Sequence, residues 1–165
     1  LPTSRMLALH GKRFLLVHAT PRDPMDEYAP PDPAFWAPRL AGLHVDYVLA
    51  GHTHQPYTLR VNGTTVVNPG SVGLSRDGDR RAAYAVIDLD RSAVIDTDGK
   101  NGVEHRRVEY PVEETVAAAR AVTTDPQALQ MLTDIYRGGL YTARWAANGA
   151  ARNGAHNGNG NGKPG

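Results

Sequence analysis

Two short apolar runs limit what this chain can fold into more than any other feature: RFLLVHAT, Arg13 to Thr20, and VDYVLAG, Val45 to Gly51. Each is a brief continuous apolar stretch bounded by turn formers, the pattern of a strand buried on both faces. Between them lies PRDPMDEYAPPDP, Pro21 to Pro33, with five prolines in 13 residues. Proline locks φ and offers no N–H, so this segment reads as a loop. Asp32 and Pro33 then read as the N-cap and first position of a helix through AFWAPRLAGL, which Pro38 limits to about two turns. Two buried strands joined through a loop and a helix bring their carboxyl ends to one rim if they are parallel neighbours.

Further along, strand signals give way to helical ones. TLRV and TTVV flank Asn62-Gly63, a dipeptide favoured in tight type I′ hairpins, and that hairpin leads to a turn at Asn68-Pro69-Gly70-Ser71. AAYAVIDLD reads as a strand, RSAVIDTDGKNG as a strand end and turn, and VEHRRVEY as a more polar strand suited to an edge or exposed face. From Pro111 the period changes. VEETVAAARAV is helical, and a second helix opens at Thr124 or Asp125 with Pro126 at its first position and closes at Gly138-Gly139. Residues 1–145 read as one domain, and 146–165 as an Asn/Gly-rich tail expected to be disordered. The chain opens on leucine, close ahead of its first strong strand, and reads as a piece of something longer.

Composition narrows the chemistry. Eighteen Lys and Arg against 17 Asp and Glu, scattered along the chain, leave a net charge of +1 and no basic stripe for nucleic acid. Without cysteine, any metal site must use histidine, carboxylate or amide ligands. No apolar run approaches a membrane span and the first residues lack a signal-peptide core, so the expectation is a cytoplasmic protein.

His18 ends the first apolar run, and His52 and His54 follow the second. In extended chain, residues i and i+2 point to one side, so His52 and His54 are expected to present two nitrogens to one small volume, with Gly51 letting the backbone turn. If the two strands are parallel neighbours, all three histidines share a rim, where open sheets collect ligands, and imidazole there suggests metal.

GHTHQP, preceded by a strand ending LLVHATP and followed after a hairpin by NPGSVG, resembles the carboxyl-terminal half of calcineurin-like metallophosphoesterases. The resemblance is in particular to their small bacterial and archaeal phosphodiesterase subfamily, over about Leu7 to Gly139. The resemblance implies an α/β fold, a four-layer αββα sandwich of two mixed sheets between helices, with the metal site at strand ends. It implies two divalent metal ions, manganese first, with iron, nickel, zinc or cobalt as alternatives. By the same resemblance His18 and His52 bind the second metal and His54 the first. The implied reaction is hydrolysis of a phosphodiester or phosphomonoester by a metal-bound hydroxide.

The family's first half carries an Asp-x-His strand end, a Gly-Asp pair whose Asp bridges the metals, and a Gly-Asn-His segment that supplies the general acid. None precedes His18, and Gly78-Asp79 falls after the histidine loop in a surface-like turn. The expectation is a partial sandwich with its amino-terminal half missing, no general acid of its own, and negligible turnover alone.

Asn68, Gly70 and Ser71, with Gly51, read as a turn supporting the histidine loop rather than as an anion cradle. Asp23, Asp26 and Glu27 are loop carboxylates, solvated by default. Tyr28, Phe35 and Trp36 either stack on a nucleobase or, for Phe35 and Trp36, staple the short helix to the sheet. The expected partner is a phosphate-ester small molecule or nucleotide, with no membrane. The competing reading is a non-catalytic binding or scaffold protein with a degenerate form of the fold, as the retromer subunit of this fold illustrates.

Overall fold

The computed structural model describes residues 2–90 and 102–140. The strand end and turn expected over residues 91–102, all but Gly102, and the tail expected over 146–165 lie outside the described residues.

The chain opens with a strand that the sequence pattern did not signal. β1 (Ser4–Leu9) pairs antiparallel with β2 (Lys12–Val17) across His10-Gly11, both of positive φ, 47° and 72°. β1 buries neither face, Leu7 alone being partly covered. It therefore carries no alternating signal and is held by its ladder to β2.

β2 pairs in parallel with β3 (Tyr47–Leu49), which meets the condition for a shared rim, and α1 (Pro33–Leu40) lies between them in the chain. Asp32 caps α1 by accepting from the Ala34 N–H, and Pro38 sits inside its short length. Alternate residues of β2 and β3 feed two cores. Leu15, Val17 and Val48 pack with Trp36 and Leu40 of α1, while Phe14 and Tyr47 stack at 4.8 Å on the opposite face. Trp36 is fully buried and donates Nε1–H to the Pro30 carbonyl, so it staples α1 to the sheet and is no free stacking surface. Burying a large apolar side chain contributes roughly 1.5–3 kcal/mol, enough to fix so short a helix in place.

β4 (Tyr57–Val61) and β5 (Thr64–Asn68) form the expected hairpin, with Asn62 and Gly63 at φ 50° and 87°. β5, buried along its whole length, pairs in parallel with β3 and completes a mixed sheet ordered β1-β2-β3-β5-β4. β6 (Ala82–Ile87) and β7 (Val103–Val108) form a separate antiparallel pair, with Val103 in the second core. Among the described residues this second sheet is a two-stranded antiparallel ribbon, and the mixed pairing is seen in the first.

α2 (Val112–Val122) and α3 (Pro126–Gly138) follow, α3 capped by Asp125 and closed by Gly139 at φ 66°. Arg137 ties them together through Glu113. The Gly139 carbonyl accepts from the Gly78 N–H at 2.9 Å, which anchors the loop after β5. Among the described residues, no helix is long and apolar enough to cross a membrane.

Candidate metal centre

His18 is the first residue past β2, and Ala50 and Gly51 continue the line of β3 to His52. The ladder carries on beyond the strands: Ala50 N–H donates to Val67, and Gly51 N–H to the His18 carbonyl, each at 2.9 Å. These bonds draw the carboxyl ends of β2, β3 and β5 into one rim. His18 Nε2 and His52 Nδ1 stand 2.9 Å apart across it, their rings meeting edge-on. His54 turns elsewhere and donates Nδ1–H to the Leu74 carbonyl at 2.7 Å.

The segment carrying the two loop histidines is not extended. His52 and His54 both lie in the left-handed region, at φ 62° and 58°, which histidine tolerates better than most side chains but at some strain. Gly51 has no positive φ, and a Cβ there would meet only the His18 carbonyl at an ordinary 3.5 Å. The histidines, and not the glycine, take the unusual backbone; Gly51 contributes its N–H to His18 and its carbonyl to the turn.

Asn68 holds that strained loop. Fully buried, it donates Nδ2–H to the Gly51 carbonyl at 2.7 Å and to Thr53 Oγ1 at 3.0 Å, and its Oδ1 accepts from the Gly70 N–H. Ser71 Oγ accepts from the Leu74 N–H at 2.9 Å, which positions the carbonyl that orients His54. Asn68, Gly70 and Ser71 thus lie in a hydrogen-bonded turn beside the histidine loop.

Burial pushes the His54 pKa below its ordinary value, the bond to Leu74 opposes this, and the charge of Arg76 adds to the lowering. A neutral His54 with its Nδ1–H on a carbonyl keeps its Nε2 lone pair for a ligand, the outer bond that metal-binding histidines usually make. Two nitrogens each about 2.1 Å from one ion at a right angle lie about 3.0 Å apart. The His18 and His52 nitrogens stand at that spacing, which is equally the length of a hydrogen bond between the two rings. Among the described residues, no three His, Cys, Asp or Glu side chains are grouped to hold an ion.

The remaining candidates separate cleanly. Asp79 pairs with Arg81 and Arg107, and the Arg81 hydrogen bonds hold its carboxyl below the usual range, away from any bridging role. Glu27 pairs with Arg39 and accepts from Thr20. Phe35 lies under the Arg39 guanidinium at 3.4 Å. Tyr28 stays 52 % exposed, its ring 6.4 Å from that of His52. Sequence reasoning missed Leu74 and Arg76, whose only signal was their place just after NPGSVG.

The calcineurin-like phosphoesterase superfamily domain matches residues 1–92, more than half of the chain and all of the histidine rim. The chain belongs to the calcineurin-like phosphoesterase superfamily. A metallophosphoesterase from Sphaerobacter thermophilus is similar in structure at a TM-score of 0.63 and 25 % identity, over 85 % of this chain and 58 % of that one. A hypothetical protein from Pyrococcus horikoshii OT3 shares the fold at a TM-score of 0.66 and 18 % identity, over 80 % of this chain and 50 % of its own. An uncharacterised protein of Methanocaldococcus jannaschii is 29 % identical over 121 residues, 64 % of this chain and 44 % of that protein. The chain spans about half the length of the relatives it matches.

Proposed function

We propose that the chain supplies one side of a metal-dependent phosphoesterase centre that hydrolyses a phosphodiester or phosphomonoester, a small molecule or nucleotide, in the cytoplasm. His18 and His52 hold one divalent ion and His54 its neighbour, with manganese the first candidate and iron, nickel, zinc or cobalt the alternatives. The supporting observation is the 2.9 Å separation of His18 Nε2 and His52 Nδ1 at the joined ends of two parallel strands. When bound, the ions supply the Lewis acidity that activates water and offsets charge on the phosphoryl oxygens.

The chain's own residues present nitrogens at fixed positions. Asn68 and Gly51 hold the loop backbone, and Ser71 and Leu74 hold the His54 tautomer. Residues 1–145 are read as the carboxyl-terminal part of the catalytic domain. The Asp-x-His, Gly-Asp and Gly-Asn-His roles are then filled from outside these residues, so turnover by the chain alone is negligible.

Calorimetric titration of Mn²⁺ tests this. Weak saturable binding is expected, reduced about tenfold or more in His18→Ala and in His52→Ala but not in His10→Ala. Equal affinity in wild type and His52→Ala would sink the assignment. One observation favours a second reading, a non-catalytic binding protein with a degenerate fold: among the described residues, no three ligand-type side chains converge. That reading expects wild type to bind Mn²⁺ no better than a variant lacking all three histidines.

A further inference from the structure

We propose that Tyr28 is the platform that receives the organic part of the phosphate ester, so that the site favours esters bearing a flat aromatic group. The inference rests on the reading of His18 and His52 as the phosphate end of the site.

Tyr28 is held in place by its neighbours while its own ring is left open. On one side, Glu27 is tied to Arg39 and to Thr20 Oγ1. On the other, Ala29 is buried and its carbonyl accepts from the Tyr57 hydroxyl, which burial pushes up to about 12 and so keeps protonated as a donor. One residue further on, the Pro30 carbonyl accepts from Trp36 Nε1–H. With anchors on both flanks the backbone at Tyr28 is held, yet the residue remains 52 % exposed.

A single exposed aromatic is unremarkable by itself. Its position makes the difference here: the ring stands edge-on to His52, with 6.4 Å between centroids. A phosphoryl group on an ion held by His52 would leave the organic group, one ester linkage away, within reach of the Tyr28 ring. Tyrosine suits this use because only two side-chain torsions must be fixed for a large contact area. Phe35 and Trp36 do not compete, since Arg39 covers the first and the core encloses the second.

The test is calorimetric titration of phenylphosphonate and methylphosphonate, which carry the same charged group and are not hydrolysed, into the chain with saturating Mn²⁺. Wild type should bind the phenyl compound about tenfold more tightly. Tyr28→Ala should lower phenylphosphonate affinity by about the same factor, and Tyr28→Phe should retain it. A phenyl preference that is absent, that survives Tyr28→Ala, or that is lost in Tyr28→Phe overturns the platform; the last outcome would assign the hydroxyl instead. If methylphosphonate binding is metal-dependent and lost in His52→Ala while the phenyl group adds nothing, the platform alone has failed. If neither compound shows metal-dependent binding, the metal reading has failed and the platform falls with it.

Discussion

Glu27 is where the loop after His18 is locked. Hydrogen bonds from Arg39 hold its carboxyl at about 2, against 4.5 for an ordinary glutamate. Because the folded state binds the proton less readily than the unfolded state, this contribution is fully present above about pH 4.5 and fades as the pH falls toward 2. Glu27→Gln should therefore cost about 1–2 kcal/mol at pH 7, and the gap in melting temperature between wild type and variant should narrow progressively below pH 4.5. A gap that is constant from pH 7 to pH 3 would show that the ion pair is not its source. Residue identities at the rim were legible in sequence: His18, His52 and His54 stood out by type and by place after apolar runs. Their orientations were not, because the left-handed backbone of His52 and His54 answers to Asn68 and Leu74, which lie well beyond the local window.

Among the elements, the β5-to-turn junction carries the site. Gly70 has φ 87°, and a Cβ there would lie 2.8 Å from Ala83 Cβ and 3.3 Å from Pro56. Gly70→Ala should destabilise the fold by about 2–3 kcal/mol, through backbone strain and overpacking together. Urea denaturation measures this, and the same variant should bind Mn²⁺ more weakly than wild type if the turn supports the histidine loop as described. An unchanged urea midpoint would mean that the turn can relax at no cost. Elements with strong local chemistry were readable in advance, including the Asn62-Gly63 hairpin, the Asp32 and Asp125 caps and the Gly139 stop. β1 was not readable, since a strand that buries neither face owes its existence to its partner rather than to its own pattern.

At the scale of the whole molecule, the second core is covered less completely than the first among the described residues. Leu7, Leu9, Phe14, Leu16, Leu49, Ile87 and Leu89 line an apolar groove of about 230 Å³, and Leu9 is 51 % exposed at its edge. Exposed apolar surface of this kind binds hydrophobic dyes. The folded chain should enhance the fluorescence of such a dye, and Leu9→Lys should reduce that signal without changing the far-ultraviolet circular dichroism. No enhancement from the native chain would mean that the groove is closed in solution. By itself the sequence determined the two buried strands, the helix ends, the tight turns and which residue types meet the rim, since those follow from sterics, capping and patterning within a few residues. Only the tertiary structure decided which nitrogens face each other, which carbonyl fixes His54, that Glu27 is paired and that Tyr28 stays open. Each of these depends on groups distant in the chain and brought together by burial, and no local pattern encodes such a meeting.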